Sequence, residues 1–327
     1  MKERKLGNNG FQTSEIGLGC WQLGGDWGNK INKTQARKIL EKAINNGINF
    51  FDTADVYGDG RSEEVIGEFI QQSNIDVKVA TKFGRNANVY PNNYSEQALR
   101  KSVDNSRKRL NKDCIDLLQL HCIPTEELKK GAIFDWLRTL KNEGKIAHFG
   151  ASVESVNQGL ICLEQEGLQS LQVIYNIFRQ KLTHELLPCA YKKGVGIIVR
   201  LPLASGLLSG KFTSQTEFKE NDHRNFNRNG EAFNVGETFA GLPFKIGVQL
   251  SDELKAFCPE NLSILEMSLR WILDHKEVTT IIPGASSTKQ VIENSKISNL
   301  PSLSSQLMKQ LEDFYHNKIH SHIRGVY

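Results

Sequence analysis

The chain has 327 residues, and 41 Lys and Arg against 37 Asp and Glu leave a net charge of +4 at pH 7. That length holds two or three small domains, or one α/β barrel of roughly 250 residues or more. With 39% hydrophobic and 24% charged residues, a collagen-like or disordered chain is excluded. So weak a charge, without a Lys/Arg run, argues against a nucleic-acid partner, and no apolar stretch reaches the roughly 20 residues of a membrane helix. The charged start, Met1 to Gly7, is not that of a signal peptide. Six scattered cysteines without a C-x-x-C pair read as reduced thiols of a cytoplasmic protein, with no metal site expected.

In chain order, Gly7, Asn8, Asn9 and Gly10 make a turn-rich start that predicts a small hairpin, and a first strand falls at 15–19. Ala36, Ile39, Leu40, Ala43 and Ile44 recur at helical spacing, and Gly47 sits where a left-handed cap would end that helix. A second strand at 48–51 precedes a helix with Ser62 as its cap and Val65, Ile66, Phe69 and Ile70 on one face. Strands at 77–81, 115–120, 146–151, 171–175 and 195–199 follow, each trailed by a helical pattern until the last. Those helices carry Ala98, Val103 and Leu110; then Phe134, Leu137 and Leu140, ending at Gly144; then 156–163; then about 185–193. The stretch 212–244 is polar, rich in Asn, Arg and Gly, and aperiodic, so it reads as either disordered or a lid. A helix at 262–275, a strand at 278–282, and helices near 289–295 and 303–317 complete the pattern.

Eight strand–helix units with strands too apolar to face water predict a (β/α)8 TIM barrel with an N-terminal hairpin and extra C-terminal helices. It is expected as a single domain over 1–327. A doubly wound sheet is the rival, but no G-x-G-x-x-G follows the first strand. The strand C-termini of a barrel converge on one mouth, where active sites are built. Asp52 ends the second strand and Tyr57 follows it; Lys82 ends the third and His121 the fourth. Alone, each has a structural explanation: a packed histidine, a tyrosine on the rim, a routine ion pair. Together they make a proton-donor site. A lysine ammonium beside a phenol favours the phenolate, an aspartate holds the lysine charged, and a histidine aims a carbonyl oxygen at the phenol.

The chain resembles the aldo-keto reductases over essentially its whole length. The residues that carry the likeness are Gly17, Leu18, Gly19, Cys20 and Trp21; the run from Phe51 through Asp52 to Tyr57 and Gly58; Thr81 and Lys82; and 117–121, ending in His121. Further on they are Gly150, Ala151 and Ser152; Gln172 with Tyr175 and Asn176; 202–211; and Ile282, Pro283 and Gly284. The resemblance implies reduction of an aldehyde or ketone by hydride from NADPH, with NADH as the alternative cofactor. Tyr57 would be the proton donor, Lys82 and Asp52 its activators and His121 the orienting residue. Gly19, Cys20, Trp21 and Asp52 would border the cofactor, and Ser152 and Gln172 would hold the nicotinamide carboxamide. Pro202, Leu203, Ser205, Gly206, Leu208, Gly210 and Lys211 would embrace the pyrophosphate. Gly284, Ser286, Gln290, Glu293 and Asn294 match the family's adenosine-binding positions. Trp21, Tyr57 and His121 would line the substrate pocket.

The chain departs from the family in several places. Val153 follows Ser152 where a polar residue is common, and Gln290 stands where some members place an arginine for the 2′-phosphate. Arg200 occupies the position of a stacking aromatic, so it stacks on the cofactor, meets an anionic substrate or pairs with an acid. The stretch 212–244 would cover the cofactor, with His223, Arg224 and Phe226 closing on the phosphates. The expected partner is a small-molecule carbonyl compound, and the expected state a monomer or weak oligomer without membrane or nucleic acid. The alternative is a low-turnover nicotinamide-binding regulatory or sensor protein on the same fold, against which the intact tetrad speaks.

Overall fold

A computed structural model describes residues 1–25 and 31–327. Eight parallel strands follow one another around a sheet in sequence order. They are β1 (Leu18–Gly19), β2 (Phe50–Asp52), β3 (Lys78–Phe83), β4 (Ile115–His121), β5 (Ile146–Ser152), β6 (Leu168–Ile174), β7 (Gly196–Arg200) and β8 (Val278–Ile281). The ends meet through parallel bridges, Ile16 to Ile281 and Gly19 to Gly284. Gly17 N–H donates to the Ile281 carbonyl at 2.8 Å, and Ile281 N–H to the Glu15 carbonyl at 3.0 Å. Closure requires glycine here: a Cβ on Gly19 would stand 2.7 Å from the Ile282 carbonyl oxygen. The regular part of the first strand is therefore two residues, shorter than the expected 15–19.

Alternation along each strand decides what faces the barrel axis. Phe50, Ala80, Leu117, Ile198 and Ile282 form one small apolar cluster with Leu6, and Phe11 packs against it. Leu6 and Phe11 belong to the predicted hairpin (Glu3–Lys5 paired with Gln12–Ser14), which plugs the barrel at its base. Two residues further along β2, β3, β4 and β7, the same inward face presents Asp52, Lys82, Gln119 and Arg200. The strands thus carry an apolar floor and a polar upper layer. The out-facing neighbours, among them Phe51, Val79, Leu118 and Ile197, join the larger core under the helices.

Three helical details differ from expectation. Gly60, left-handed at φ 90°, caps the helix Arg61–Ser73. Ser62 lies inside its first turn, where its hydroxyl donates to the Cys20 carbonyl and accepts from Thr53 Oγ1, both at 2.8 Å. A helix at Phe244–Leu254 was not anticipated, because Gly247 and Ser251 interrupt its apolar face. The polar stretch 212–244 is an ordered strap that includes a short helix, His223–Phe226, and 3-10 turns at Val235–Glu237 and Phe239–Gly241. Among the described residues no helix is long and apolar enough to cross a membrane.

Candidate active site

The four strand-end residues meet at the mouth. Lys82, 1% exposed, donates to Asp52 Oδ1 at 2.5 Å and to the Thr53 carbonyl at 2.7 Å, and lies 3.4 Å from the Tyr57 hydroxyl. The other Asp52 oxygen accepts from Gln172 Nε2 at 2.6 Å and Gln119 Nε2 at 3.0 Å, so the carboxylate is saturated. Tyr57 is fixed between rings: Trp21 stacks on it at 5.8 Å between centroids, and His121 meets it edge-on at 5.9 Å. Its backbone is fixed by close packing against Gly24, where a Cβ would fall 2.7 Å from the Tyr57 carbonyl carbon.

Burial pushes the Tyr57 phenol up to about 12, against the pull of the Lys82 ammonium, which lowers it. The expected lowering by lysine is real but outweighed, so the hydroxyl holds its proton at neutral pH. Burial would depress Lys82, yet the Asp52 carboxylate and the phenol hold it above its ordinary value. His121 is held well below its ordinary value by burial and by the positive charges of Lys82, Arg85 and Arg200. It is a neutral imidazole at physiological pH, and its Nδ1 is buried without a hydrogen-bond partner.

A continuous cleft of about 850 Å³ runs from Tyr57 and His121 to the helix Thr288–Lys296 beyond β8. Of the expected cofactor residues, its walls include Gly19, Cys20, Trp21, Asp52, Gln172, Arg200, Pro202, Leu203, Ser205, Gly206 and Lys211. They also include Gly284, Ser286, Gln290, Glu293 and Asn294. Three expected residues lie outside the walls. Leu208 is fully buried, and Gly210 ends the 3-10 turn Ala204–Ser209 at φ 68°. Ser152 lies behind the wall, with its hydroxyl 3.5 Å from both Gln172 Oε1 and Cys122 Sγ. Ser205 lines the cleft, but its hydroxyl is committed to the strap: it donates to the Glu237 carbonyl at 3.1 Å and accepts from Phe239 N–H at 3.2 Å.

The residues present suit a long, anionic cofactor. After β7 the chain holds Leu201, Ala204 and Ser205 at φ 51, 47 and 55°, with Gly206 at 102°. Such left-handed conformations in non-glycine residues cost on the order of 1–3 kcal/mol each and persist where the surroundings enforce them, often at ligand sites. Lys211 and Arg224 bring positive charge to the same cleft. Gln22 Oε1, also on the cleft wall, is a buried acceptor without a partner. A cleft of this size is in the range that encloses small ligands and cofactors.

Of the strap residues expected to close on the phosphates, Arg224 and Phe226 line the cleft. Arg224 is held by Asp222 through Nε and Nη2 at 2.9 and 2.6 Å, and lies over the Phe218 ring at 4.5 Å. His223 is fully buried, its ring 4.9 Å from Trp21, and takes no place in the cleft wall. Of the three roles open to Arg200, the structure contains the ion pair, with Glu237 at 3.4 Å. Sequence reasoning missed that Arg85 pairs with Glu154 at 2.6 Å and stands 3.6 Å from Glu237. It also missed Gln119. Position was the available signal, because Arg85 and Glu154 each lie two residues beyond a barrel strand.

A model of the aldo/keto reductase family matches residues 15–316. An uncharacterised oxidoreductase of Bacillus subtilis, YqkF, is 30% identical over 316 residues, covering 95% of this chain and 96% of the relative. The NADH-specific methylglyoxal reductase of Escherichia coli is 26% identical, covering 92% of this chain and 94% of its own. Among solved structures, the holo form of aldo-keto reductase AKR11C1 from Bacillus halodurans superposes with a TM-score of 0.77. It is 26% identical, covering 100% of this chain and 98% of that one.

Proposed function

The chain belongs to the aldo/keto reductase family and is an NAD(P)H-dependent oxidoreductase; from that premise we propose that it reduces an aldehyde or ketone to the alcohol, with Tyr57 as proton donor. The observation that carries the reading is the 3.4 Å contact between the Lys82 ammonium and the Tyr57 hydroxyl on the wall of a cleft of about 850 Å³ that continues to Gln290 and Asn294.

A bound nicotinamide supplies the hydride. Tyr57 donates its proton to the carbonyl oxygen as negative charge develops there, and Lys82 stabilises the phenolate left behind. Asp52 fixes Lys82 through a contact too short and too buried to be rearranged by solvent. Neutral His121 offers a ring nitrogen to the same oxygen and so orients the carbonyl toward Tyr57. Trp21 stacks on the phenol ring and holds its orientation. Leu203, Ser205, Gly206 and Lys211 hold the phosphates, while Ser286, Gln290, Glu293 and Asn294 hold the adenosine. Gln172 turns its amide nitrogen to Asp52, leaving Oε1 as the atom for a carboxamide.

NADPH is the proposed reductant. Lys289, whose exposed ammonium lies 3.8 Å from Glu293, and Ser286, whose hydroxyl donates to Gln290 Oε1 at 3.0 Å, flank Gln290 and are the charge and hydroxyl that would turn to a 2′-phosphate. The E. coli relative keeps NADH as the alternative. Fluorescence titration with both nucleotides, followed by repeated turnover on a panel of aldehydes, tests this reading. Tighter binding of NADPH and many turnovers per site are expected. Failure to bind either nucleotide contradicts the reading, and cofactor oxidation that stops after one equivalent returns the sensor alternative.

A further inference from the structure

Four charged residues on the same cleft wall have no part in proton transfer: Arg85, Glu154, Arg200 and Glu237. They come from the loops after β3 and β5, from the last residue of β7 and from the strap. Their contacts alternate in sign: Glu154 to Arg85 at 2.6 Å, Arg85 to Glu237 at 3.6 Å and Glu237 to Arg200 at 3.4 Å. Both guanidiniums share the cleft wall with Tyr57 and His121, the residues proposed to meet the carbonyl.

Burying four charges is costly unless each is paired and hydrogen-bonded. Here the pairing is incomplete, because Arg85 Nε and Arg200 Nε are buried donors without an acceptor among the described residues. Two carboxylates stand against them. An anionic substrate would meet Glu154 and Glu237 as well as the arginines, and the two signs cancel. An apolar substrate would cover these charged groups without offering them a hydrogen-bond partner. A metal fits no better: Glu154, Glu237 and Cys122 Sγ are near enough to hold an ion, but the guanidiniums already occupy the carboxylates and Arg200 points a donor at Cys122 Sγ. A hydroxyl gives and accepts at once, and so matches alternating Arg and Glu. The rings of Trp21, Tyr90 and Phe233 on the same wall suit the C–H faces of a hydroxylated chain.

We propose that Arg85, Glu154, Arg200 and Glu237 form a hydroxyl-reading subsite, and that the substrate is a polyhydroxylated aldehyde or ketone. This rests on the reductase reading above. The test uses the NADPH-loaded protein and three four-carbon aldehydes: D-erythrose, butanal and succinic semialdehyde, with concentrations corrected to free carbonyl. An activated aldehyde without hydroxyls, 4-nitrobenzaldehyde, serves as the control. The expected kcat/KM for D-erythrose exceeds that for butanal by about tenfold or more, expressed mainly in KM, since a site built around hydroxyls penalises analogues that lack them. Succinic semialdehyde is expected to gain nothing over butanal. The double variant Arg85→Met, Glu154→Leu, which removes a pair without stranding a charge, narrows the erythrose–butanal ratio.

Equal efficiencies for erythrose and butanal, or preference for the semialdehyde, overturn the subsite while turnover of 4-nitrobenzaldehyde leaves the reductase reading standing. A ratio that survives in a double variant that still binds NADPH overturns it too. No turnover of any of the four removes the reductase reading, and this inference with it.

Discussion

Tyr57 combines two opposing influences: burial keeps the phenol protonated at neutral pH, while a neighbouring ammonium makes the anion bearable once the proton has left. Asp55, two residues before it, shows burial outweighing the groups that oppose it, among them the Arg109 charge. Its Oδ2 accepts from Ser102 at 3.3 Å, and its Oδ1 is buried without a side-chain partner among the described residues. Nearby Glu63 is occupied by Arg109 and Thr81. Burial and the Glu63 charge raise the Asp55 carboxyl from 3.8 to about 7. The folded state therefore holds a proton that the unfolded state has lost, and between those values stability falls as pH rises, by at most about 1.4 kcal/mol per unit. Asp55→Asn, which keeps the shape without the charge, is expected to raise the melting temperature at pH 8 and to change it little at pH 4. Equal shifts at both pH values would contradict this origin. At this scale the tetrad was readable from sequence, because each member sits at or just past a strand end. Arg85, Glu154 and Glu237 were not, because they are far apart in the chain and meet only when three loops fold over one mouth.

The strap 212–244 depends on a second element, the C-terminal segment. Arg324 donates to the Gly241 carbonyl at 3.0 Å, to the Arg228 carbonyl at 3.1 Å and to Asn229 Oδ1 at 2.9 Å. Buried Arg179 links the Ala240 and Val326 carbonyls at 3.2 and 3.1 Å and stacks on the Tyr327 ring at 4.4 Å. Removing the Arg324 side chain frees several strap carbonyls while leaving the barrel contacts untouched. Arg324→Ala is expected to weaken NADPH binding by about fivefold or more, given what hydrogen bonds from a charged donor contribute. Limited proteolysis inside 212–244 should accelerate, with far-UV circular dichroism unchanged; unaltered affinity and cleavage would show that the tail does not hold the strap. The order within this stretch was hidden because non-local carbonyl partners build it, leaving no period to read. The helix Phe244–Leu254 escaped for a related reason: Gly247 accommodates Leu207 and Ser251 donates to the Leu207 carbonyl, so small residues mark its packed face.

For the molecule as a whole, the sequence reading succeeded where one period governs an entire element. Apolar strands of the right spacing predicted the barrel, and the polar residues at their C-terminal ends predicted which side chains reach the mouth. The first strand was over-extended because closure to β8 rests on glycines that let two backbones approach, and apolar pattern does not report that. The closed sheet brings Asp52 and Lys82 into one polar layer with Gln119, and His121, two residues further along β4, stands with Tyr57 above that layer in the cleft wall. On the proposed mechanism the Tyr57 proton, and not one from water, completes the reduction. Single-turnover oxidation of bound NADPH by saturating aldehyde, compared between the wild type and Tyr57→Phe at one pH, tests it most directly. The expected loss is about 10²–10⁴-fold in rate with the NADPH Kd unchanged; a single-turnover rate equal to that of the wild type would contradict the account.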